Sequence, residues 1–221
     1  MAQGFRLPNL QQRAAIIGRT GSGKTRFGMW LLSQADFDKQ PFVMIDYKGD
    51  DLIAGVDRVR EIGTKEVPKY PGLYVLRPLP SENHAVEEWL WKIWQKERTG
   101  LYVDEGYALP DKGAFQAILT QGRSKRLPVI CLTQRPTWVS RFVFSEADFY
   151  AVFHLNDHRD KLTVQAFTPR ERMDLRNRLP DYHSYWYDVG RDAVFQIQPV
   201  PGDDEILQRI EDKLKPQRKR I

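Results

Sequence analysis

Short apolar segments alternate along the chain with segments whose apolar residues recur every three or four positions. Six of the apolar segments have the length of β-strands and lie at 14–18, 42–46, 73–77, 101–105, 129–133 and 149–155. Their apolar residues are continuous rather than alternating, which is typical of strands covered on both faces. The pattern predicts an α/β fold with a mostly parallel sheet flanked by helices.

The clearest helix is predicted from His84 to Arg98. Apolar residues there fall at positions i, i+3, i+4, i+7 and i+8 and form one stripe, which consists of Val86, Trp89, Leu90, Ile93 and Trp94. Because two of the three tryptophans of this segment lie on the stripe, we interpret them as core residues. Phe115, Ile118 and Leu119 predict another helix that ends before Pro128.

The pattern changes after Pro180. The segment SYWYDVGRDAVFQIQ (184–198) predicts two strands that turn at Gly190 and form a hairpin at a sheet edge. Apolar positions at 206, 207, 210 and 214 then predict a final amphipathic helix. No linker separates this part from the rest, so we expect a single domain over 1–221, with a core at about 14–165, the hairpin and helix at 180–215 and a basic tail at 216–221.

Composition restricts the possible classes of protein. The 221 residues contain one cysteine, Cys131, which excludes a disulfide framework within the chain and fits a reducing compartment. No apolar run approaches the ~18 residues needed to cross a bilayer, and the first residues lack a hydrophobic signal core. We therefore expect a cytoplasmic protein without a membrane span. The net charge of +5 permits contact with nucleic acid without demonstrating it.

The segment GRTGSGKT matches the phosphate-binding pattern G-x-x-x-x-G-K-[ST] in full, between a predicted strand and a predicted helix. The glycines allow backbone N–H groups to surround phosphate oxygens, and the helix N-terminus favours an anion. Lys24 would reach the β- and γ-phosphates, and the Thr25 hydroxyl would hold Mg²⁺. The sequence thus predicts a site for ATP and Mg²⁺ made by Gly18, Arg19, Thr20, Gly21, Ser22, Gly23, Lys24 and Thr25.

A second motif supplies two acids. The strand of GLYVDEGY (100–107) ends in Asp104 and Glu105. Asp104 would bind Mg²⁺ directly or through a water, and Glu105 would orient and deprotonate the attacking water. Many phosphate-transferring kinases with the same loop lack the second acid. The pair therefore favours ATP hydrolysis.

Two further segments resemble the FtsK/HerA superfamily of DNA-translocating ATPases. One is the aspartate-x-lysine-glycine of Asp46, Lys48 and Gly49 after the second strand. The other is GRSKRLPVICLTQRP (122–136), which is very similar to the GRA…LATQRP segment of FtsK-type translocases. The resemblance covers about residues 14–165, and it implies a RecA-like ATPase core.

The resemblance also implies roles for individual residues. Gln134 would be the polar sensor that touches the γ-phosphate or the attacking water and relays hydrolysis to DNA-contacting loops. Arg123 would be the arginine finger that reaches the nucleotide of a neighbouring subunit, with Arg126 and Arg135 as competing candidates. A finger acting in trans requires a homo-oligomeric ring, which would be a hexamer or a pentamer.

The chain lacks the membrane segments, winged helix and N-terminal β-barrel of larger relatives in this superfamily. What remains is similar to the small genome-packaging ATPases of icosahedral viruses and membrane-containing phages. We therefore expect a translocase that packages double-stranded DNA in the host cytoplasm or in association with the virion, with a capsid vertex as a further partner. A phage assembly or secretion ATPase of the Zot type, a nucleotide or small-molecule kinase and a non-catalytic nucleotide switch are the alternatives.

Basic side chains in two segments are candidates for sequence-independent contact with DNA phosphates. The loop from Gly49 to Pro71 contributes Arg58, Arg60, Lys65 and Lys69, and RPTWVSRF (135–142) contributes Arg135, Trp138 and Arg141.

Overall fold

The computed structural model describes residues 4–110 and 112–214. Within them the chain forms one sheet whose strands are β1 (Arg13–Ile17), β2 (Pro41–Asp46), β3 (Arg60–Glu61), β4 (Gly72–Leu76), β5 (Gly100–Asp104), β6 (Val129–Thr133), β7 (Phe149–Val152), β8 (Ser184–Asp188) and β9 (Ala193–Ile197). The helices are α1 (Lys24–Leu32), α2 (Asp51–Ala54), α3 (Asn83–Lys96), α4 (Ala114–Gln121), α5 (Phe142–Ser145), α6 (His158–Gln165) and α7 (Asp203–Leu214).

The sheet has the strand order β3-β4-β2-β5-β6-β1-β7-β8-β9. Strands β1 to β7 pair in parallel, whereas β8 pairs antiparallel with both β7 and β9. The predicted mostly parallel sheet and its hairpin at one edge are therefore confirmed. Parallel strands place all their carboxyl ends at one edge, so the residues that follow β1, β2, β5 and β6 lie along the same edge.

Both faces of the sheet are covered, which explains the continuous apolar runs. Residues of β1 alternate between the two sides: Ala15 and Ile17 belong to a core with α3 to α6, and Ala14 and Ile16 to a core with α1, α2 and α7. The predicted stripe of α3 is buried at Val86, Trp89, Leu90 and Ile93, and Trp94 packs against the same core.

Several boundaries differ from the predictions. The predicted strand 149–155 ends at Val152. The hydrogen bonds from Phe153 N–H to Ile17 O and from Arg19 N–H to His154 O keep the next two residues beside the end of β1 and the phosphate loop. The predicted loop from Gly49 to Pro71 contains α2 and β3. Strand β3 is only two residues long and both are exposed, so it has no apolar pattern to detect. The predicted tail at 216–221 lies outside the described residues.

Candidate functional site

The segment Gly18–Thr25 connects β1 to α1 at the carboxyl edge of the sheet. Gly21 and Gly23 have φ angles of 75° and 93°, a left-handed conformation that favours glycine. A Cβ on Gly18 would lie 2.6 Å from Phe153 Cβ, so close packing also requires a glycine there. The loop is anchored by the Gly18 N–H, which donates to the Thr133 carbonyl at the end of β6. The sequence thus forms a loop with the backbone freedom that phosphate binding needs.

Lys24 begins α1, and its side chain is almost fully buried. Burial lowers the pKa of its ammonium group, while Asp104 and then Asp50 oppose that shift. The Lys24 Nζ lies 3.7 Å from Glu105 Oε1. The loop lysine and the second acid of the predicted pair therefore meet at one point.

The two acids lie where β5 ends, and each residue is 1% exposed. Burial raises the pKa of Asp104 to about 6, and nearby Lys48 and Lys24 limit the shift. Asp104 Oδ1 and Glu105 Oε2 are buried side-chain atoms without a hydrogen-bond partner. Buried carboxylate oxygens are costly when unpaired, so two acceptors here are available to a ligand.

Lys48 is a residue of this site to which the sequence analysis gave no role. Its ammonium group contacts Glu105 Oε1. The turn that aims it there is built by Asp46 Oδ1, which accepts from the backbone N–H groups of Lys48, Gly49 and Asp50 at 3.2, 2.8 and 3.2 Å. The aspartate-x-lysine-glycine pattern was visible in the sequence, but only the strand pairing that places Asp46 beside Asp104 directs it at Glu105.

Gln134 follows β6, which lies between the strand of the acids and the strand of the phosphate loop. Its side chain contacts residues that follow each of these two neighbouring strands. The Thr20 hydroxyl contacts Gln134 Oε1, and Gln134 Nε2 donates to the Tyr107 hydroxyl at 3.5 Å. Gln134 thus connects the phosphate loop to the segment that follows the two acids.

The three arginines considered as fingers lie in different places. Arg123 follows α4 and pairs with Asp148, which also accepts from the Arg13 backbone N–H where β1 begins. It is separated from the phosphate loop of its own chain by the length of β1. Arg126 is at the same edge, because the Arg98 N–H bonds the neighbouring Lys125 carbonyl just before β5. Arg135 is beside Gln134 instead and pairs with Asp160 at 3.6 Å.

The proposed DNA-contacting side chains are partly engaged within the chain. Arg58 Nε lies 3.6 Å from Glu211 Oε2, and Arg60 donates to the Tyr74 hydroxyl at 3.2 Å. Lys65 and Lys69 are exposed. Trp138 is 59% exposed, and the Arg135 guanidinium lies 4.8 Å from the centre of its ring.

In the described part of the chain, none of the helices is long and apolar enough to span a membrane.

Comparison with known proteins relates the whole chain to one class of ATPase. No protein-family model matches the chain. The chain is 43% identical over 216 residues to the DNA packaging ATPase P9 of Enterobacteria phage PRD1, and the match covers 94% of this chain and 95% of P9. It belongs to this family of phage DNA packaging ATPases. The resemblance to small packaging ATPases that the motifs indicated is thereby confirmed.

The fold of this packaging-ATPase family member occurs in solved structures of a viral packaging NTPase and of a conjugation coupling protein. The genome packaging NTPase B204 of Sulfolobus turreted icosahedral virus 2, in complex with sulfate, aligns with a TM-score of 0.71 and 17% identity over 88% of this chain and 99% of B204. The complex of the same NTPase with AMPPCP aligns with a TM-score of 0.69 and 18% identity over 87% and 100%. The conjugation coupling protein TcpA of pCW3 has a TM-score of 0.62 and 15% identity over 91% and 64%. These similarities show a shared fold.

Proposed function

We propose that this protein is an ATPase that hydrolyses ATP to move double-stranded DNA into a phage capsid. The observation that carries the proposal is the 43% identity to the DNA packaging ATPase P9 over nearly the whole of both chains. The convergence of Lys24, Glu105 and Gln134 at one edge of the sheet supports it, because hydrolysis needs a phosphate cradle, a base and a sensor side by side.

ATP would bind with its phosphates in the loop Gly18–Thr25. The loop N–H groups and the N-terminus of α1 would surround the phosphate oxygens, and Lys24 would contact the β- and γ-phosphates. Thr25 and Asp104 would hold Mg²⁺, which neutralises the charge on the β- and γ-phosphates when bound. Asp104 Oδ1 fits this role, because it is buried without a hydrogen-bond partner and a cation would satisfy it.

Glu105 would act as the general base for hydrolysis. Its carboxylate would accept a proton from the attacking water while the water oxygen bonds to the γ-phosphorus and ADP leaves. Lys48 and Lys24 both contact Oε1, so Oε2 is the oxygen without a partner and the one we assign to the water. Gln134 would touch the γ-phosphate or the same water. Through its hydrogen bond to Tyr107 it would transmit whether the γ-phosphate is present or has been hydrolysed.

The arginine finger would come from another copy of the chain. Arg123 is remote from the phosphate loop of its own chain and 58% of its side chain is exposed, so it can contact a nucleotide only across a subunit interface. We propose a homo-oligomeric ring in which Arg123 of one subunit faces the phosphate loop of the next. DNA would contact the basic residues of the 49–71 segment and of Arg135–Arg141 in the pore, and the ring would sit at a capsid vertex.

The test is ATPase activity with and without double-stranded DNA, for the wild type and for Glu105→Gln. We expect DNA to stimulate hydrolysis by the wild type. The variant should bind ATP but lose hydrolysis, because an amide cannot accept the proton. Glu88→Gln is a matched control, since Glu88 is an exposed glutamate on α3, outside the site and outside the proposed DNA-contacting segments. Activity that is indifferent to DNA would refute the translocase, and a fully active Glu105→Gln would refute the assignment of the base.

The trans finger is tested by mixing subunits that carry Arg123→Ala with subunits that carry Lys24→Ala. Each variant alone should be inactive. In a mixed ring, an intact phosphate loop can meet an intact arginine, so partial recovery is expected. Repeating the mixture with Arg135→Ala discriminates between the candidates, and no recovery at any ratio would contradict action in trans.

A further inference from the structure

Tyr182 holds an exposed aromatic ring against the phosphate loop. A Cβ built on Gly23 would lie 2.9 Å from Tyr182 Cδ1, so the ring lies directly beside the backbone of this glycine. Tyr182 is nevertheless 51% exposed. Its φ angle of 62° is one that bulky residues rarely adopt. The chain therefore places a large, accessible aromatic surface beside a nucleotide site.

The ring forms one wall of a cleft that begins at the loop. Arg26 lies over one face of the same ring in a cation–π contact, with its guanidinium carbon 5.8 Å from the ring centre, so the other face is the one available for stacking. Two hydrogen bonds from Arg26 to Asp203, at 2.6 and 3.1 Å, hold that side chain in place. The cleft also contains Thr25 and Leu52 and encloses about 330 Å³, which is within the range of small-molecule sites.

The order of groups along a nucleoside triphosphate, from the γ-phosphate to the base, favours Tyr182 over Trp138, an exposed aromatic residue near Gln134. Glu105 and Gln134 mark the γ-phosphate end of the site, and Trp138 is on that side, since its ring lies 6.0 Å from the ring of Tyr107, which bonds Gln134. The cleft of Tyr182 contains neither Glu105 nor Gln134. The base is attached at the α-phosphate end and must leave the loop away from the γ-phosphate.

We propose that Tyr182 is the stacking platform for the base of the bound nucleotide, with Arg26 bounding the same subsite. This inference rests on the proposed ATPase function and adds the contact that holds the nucleoside. Stacking on an aromatic ring is tolerant of base identity, because each base has a π-face. The subsite should thus contribute affinity for ATP and GTP alike and none for a triphosphate without a base.

The experiment compares wild type, Tyr182→Ala, Tyr182→Phe and the control Tyr70→Ala, which removes a tyrosine that is 67% exposed and outside the cleft. Dissociation constants of ATP, GTP and inorganic tripolyphosphate are measured by calorimetry without DNA. Because Tyr182→Ala removes the stacking side chain, it should raise the dissociation constants of ATP and GTP at least fivefold. The dissociation constant of tripolyphosphate should stay within twofold of the wild-type value. Tyr182→Phe, which keeps the ring, should retain the affinity for both nucleotides, and Tyr70→Ala should match the wild type.

Two outcomes would overturn the proposal. If Tyr182→Ala weakens tripolyphosphate as much as ATP, the ring only supports the backbone of Gly23. If Tyr182→Ala leaves the affinity for ATP unchanged, or if Trp138→Ala loses that affinity instead, the base binds elsewhere. A wild type that binds ATP but does not hydrolyse it in the presence of DNA would count against the proposed function and leave the base subsite intact, so the two failures are distinguishable.

Discussion

Asp104→Asn should make the ligand-free protein more stable while it removes Mg²⁺-dependent hydrolysis. Asp104 is 1% exposed, and its Oδ1 has no hydrogen-bond partner. Burial raises its pKa from 3.8 to about 6, even though Lys48 and Lys24 are nearby. An ionised Asp104 therefore opposes folding, and the neutral amide of asparagine avoids that cost.

The shift of about two pH units corresponds to roughly 3 kcal/mol of unfolding free energy, at ~1.36 kcal/mol per unit. Because the pKa of Asp104 is raised in the folded state, the penalty is complete above pH 6 and disappears as the pH falls toward 3.8. The unfolding free energy of Asp104→Asn should thus exceed that of the wild type by about 3 kcal/mol at pH 8 and by about half of that at pH 5. The difference should vanish near pH 3.

The assay is urea unfolding of the nucleotide-free protein at pH 8 and pH 5. The matched control is Asp46→Asn, because Asp46 is equally buried and pairs with Asp104 in the strand register. Asp46 accepts from three backbone N–H groups and lies 3.4 Å from Arg77, so its amide should destabilise the protein. An Asp104→Asn variant that is no more stable than the wild type at pH 8, or equally stabilised at both pH values, would refute the reasoning.

Three further substitutions test individual contacts of the site. Lys48→Met should lower kcat about tenfold or more with little change in KM, because Glu105 loses a charged partner, and Lys48→Arg should restore part of the rate in steady-state assays. Gln134→Ala should keep ATP affinity in calorimetry but lose at least tenfold of the DNA-stimulated rate; an unchanged stimulation would exclude a sensor role. Gly23→Ala should cost about 1–2 kcal/mol of stability, or several degrees in thermal melting, since φ is 93° and Tyr182 blocks the new Cβ.

The sequence contained enough information to predict most of the sheet. The continuous apolar runs predicted six of the strands, and the edge hairpin supplied β8 and β9, because a strand buried on both faces has a strong local signal. Strand β3 has no such signal, since it consists of two exposed residues. It is defined only by its backbone pairing with β4, which no local pattern of the sequence predicts. Helix α6 was missed for a related reason: only Asp160 and Val164 of its eight residues are buried.

The motifs of the phosphate loop and of the two acids could be found in the sequence because their residues are contiguous and their spacing is set by local geometry. The contacts of Lys48 and Tyr182 with these motifs could not be predicted, because each contact forms across the fold. Lys48 is 57 residues from Glu105, and they meet only when β2 pairs with β5. Tyr182 reaches Gly23 because the segment after α6 returns to the phosphate loop before it enters β8.

The charges at the carboxyl edge of the sheet support the proposed binding of nucleotide and metal there. Arg77 and three backbone N–H groups satisfy Asp46, and Lys24 and Lys48 both contact Glu105 Oε1. Among the buried carboxylate oxygens of these residues, Asp104 Oδ1 and Glu105 Oε2 have no hydrogen-bond partner, and they belong to the two residues assigned to the cation and the water. A buried polar network with only some members satisfied is costly, whereas a complete one is rigid. The ionised Asp104 lowers the unfolding free energy of the ligand-free protein. Ligands that complete the site remove this cost, and the same free energy therefore contributes to their binding affinity.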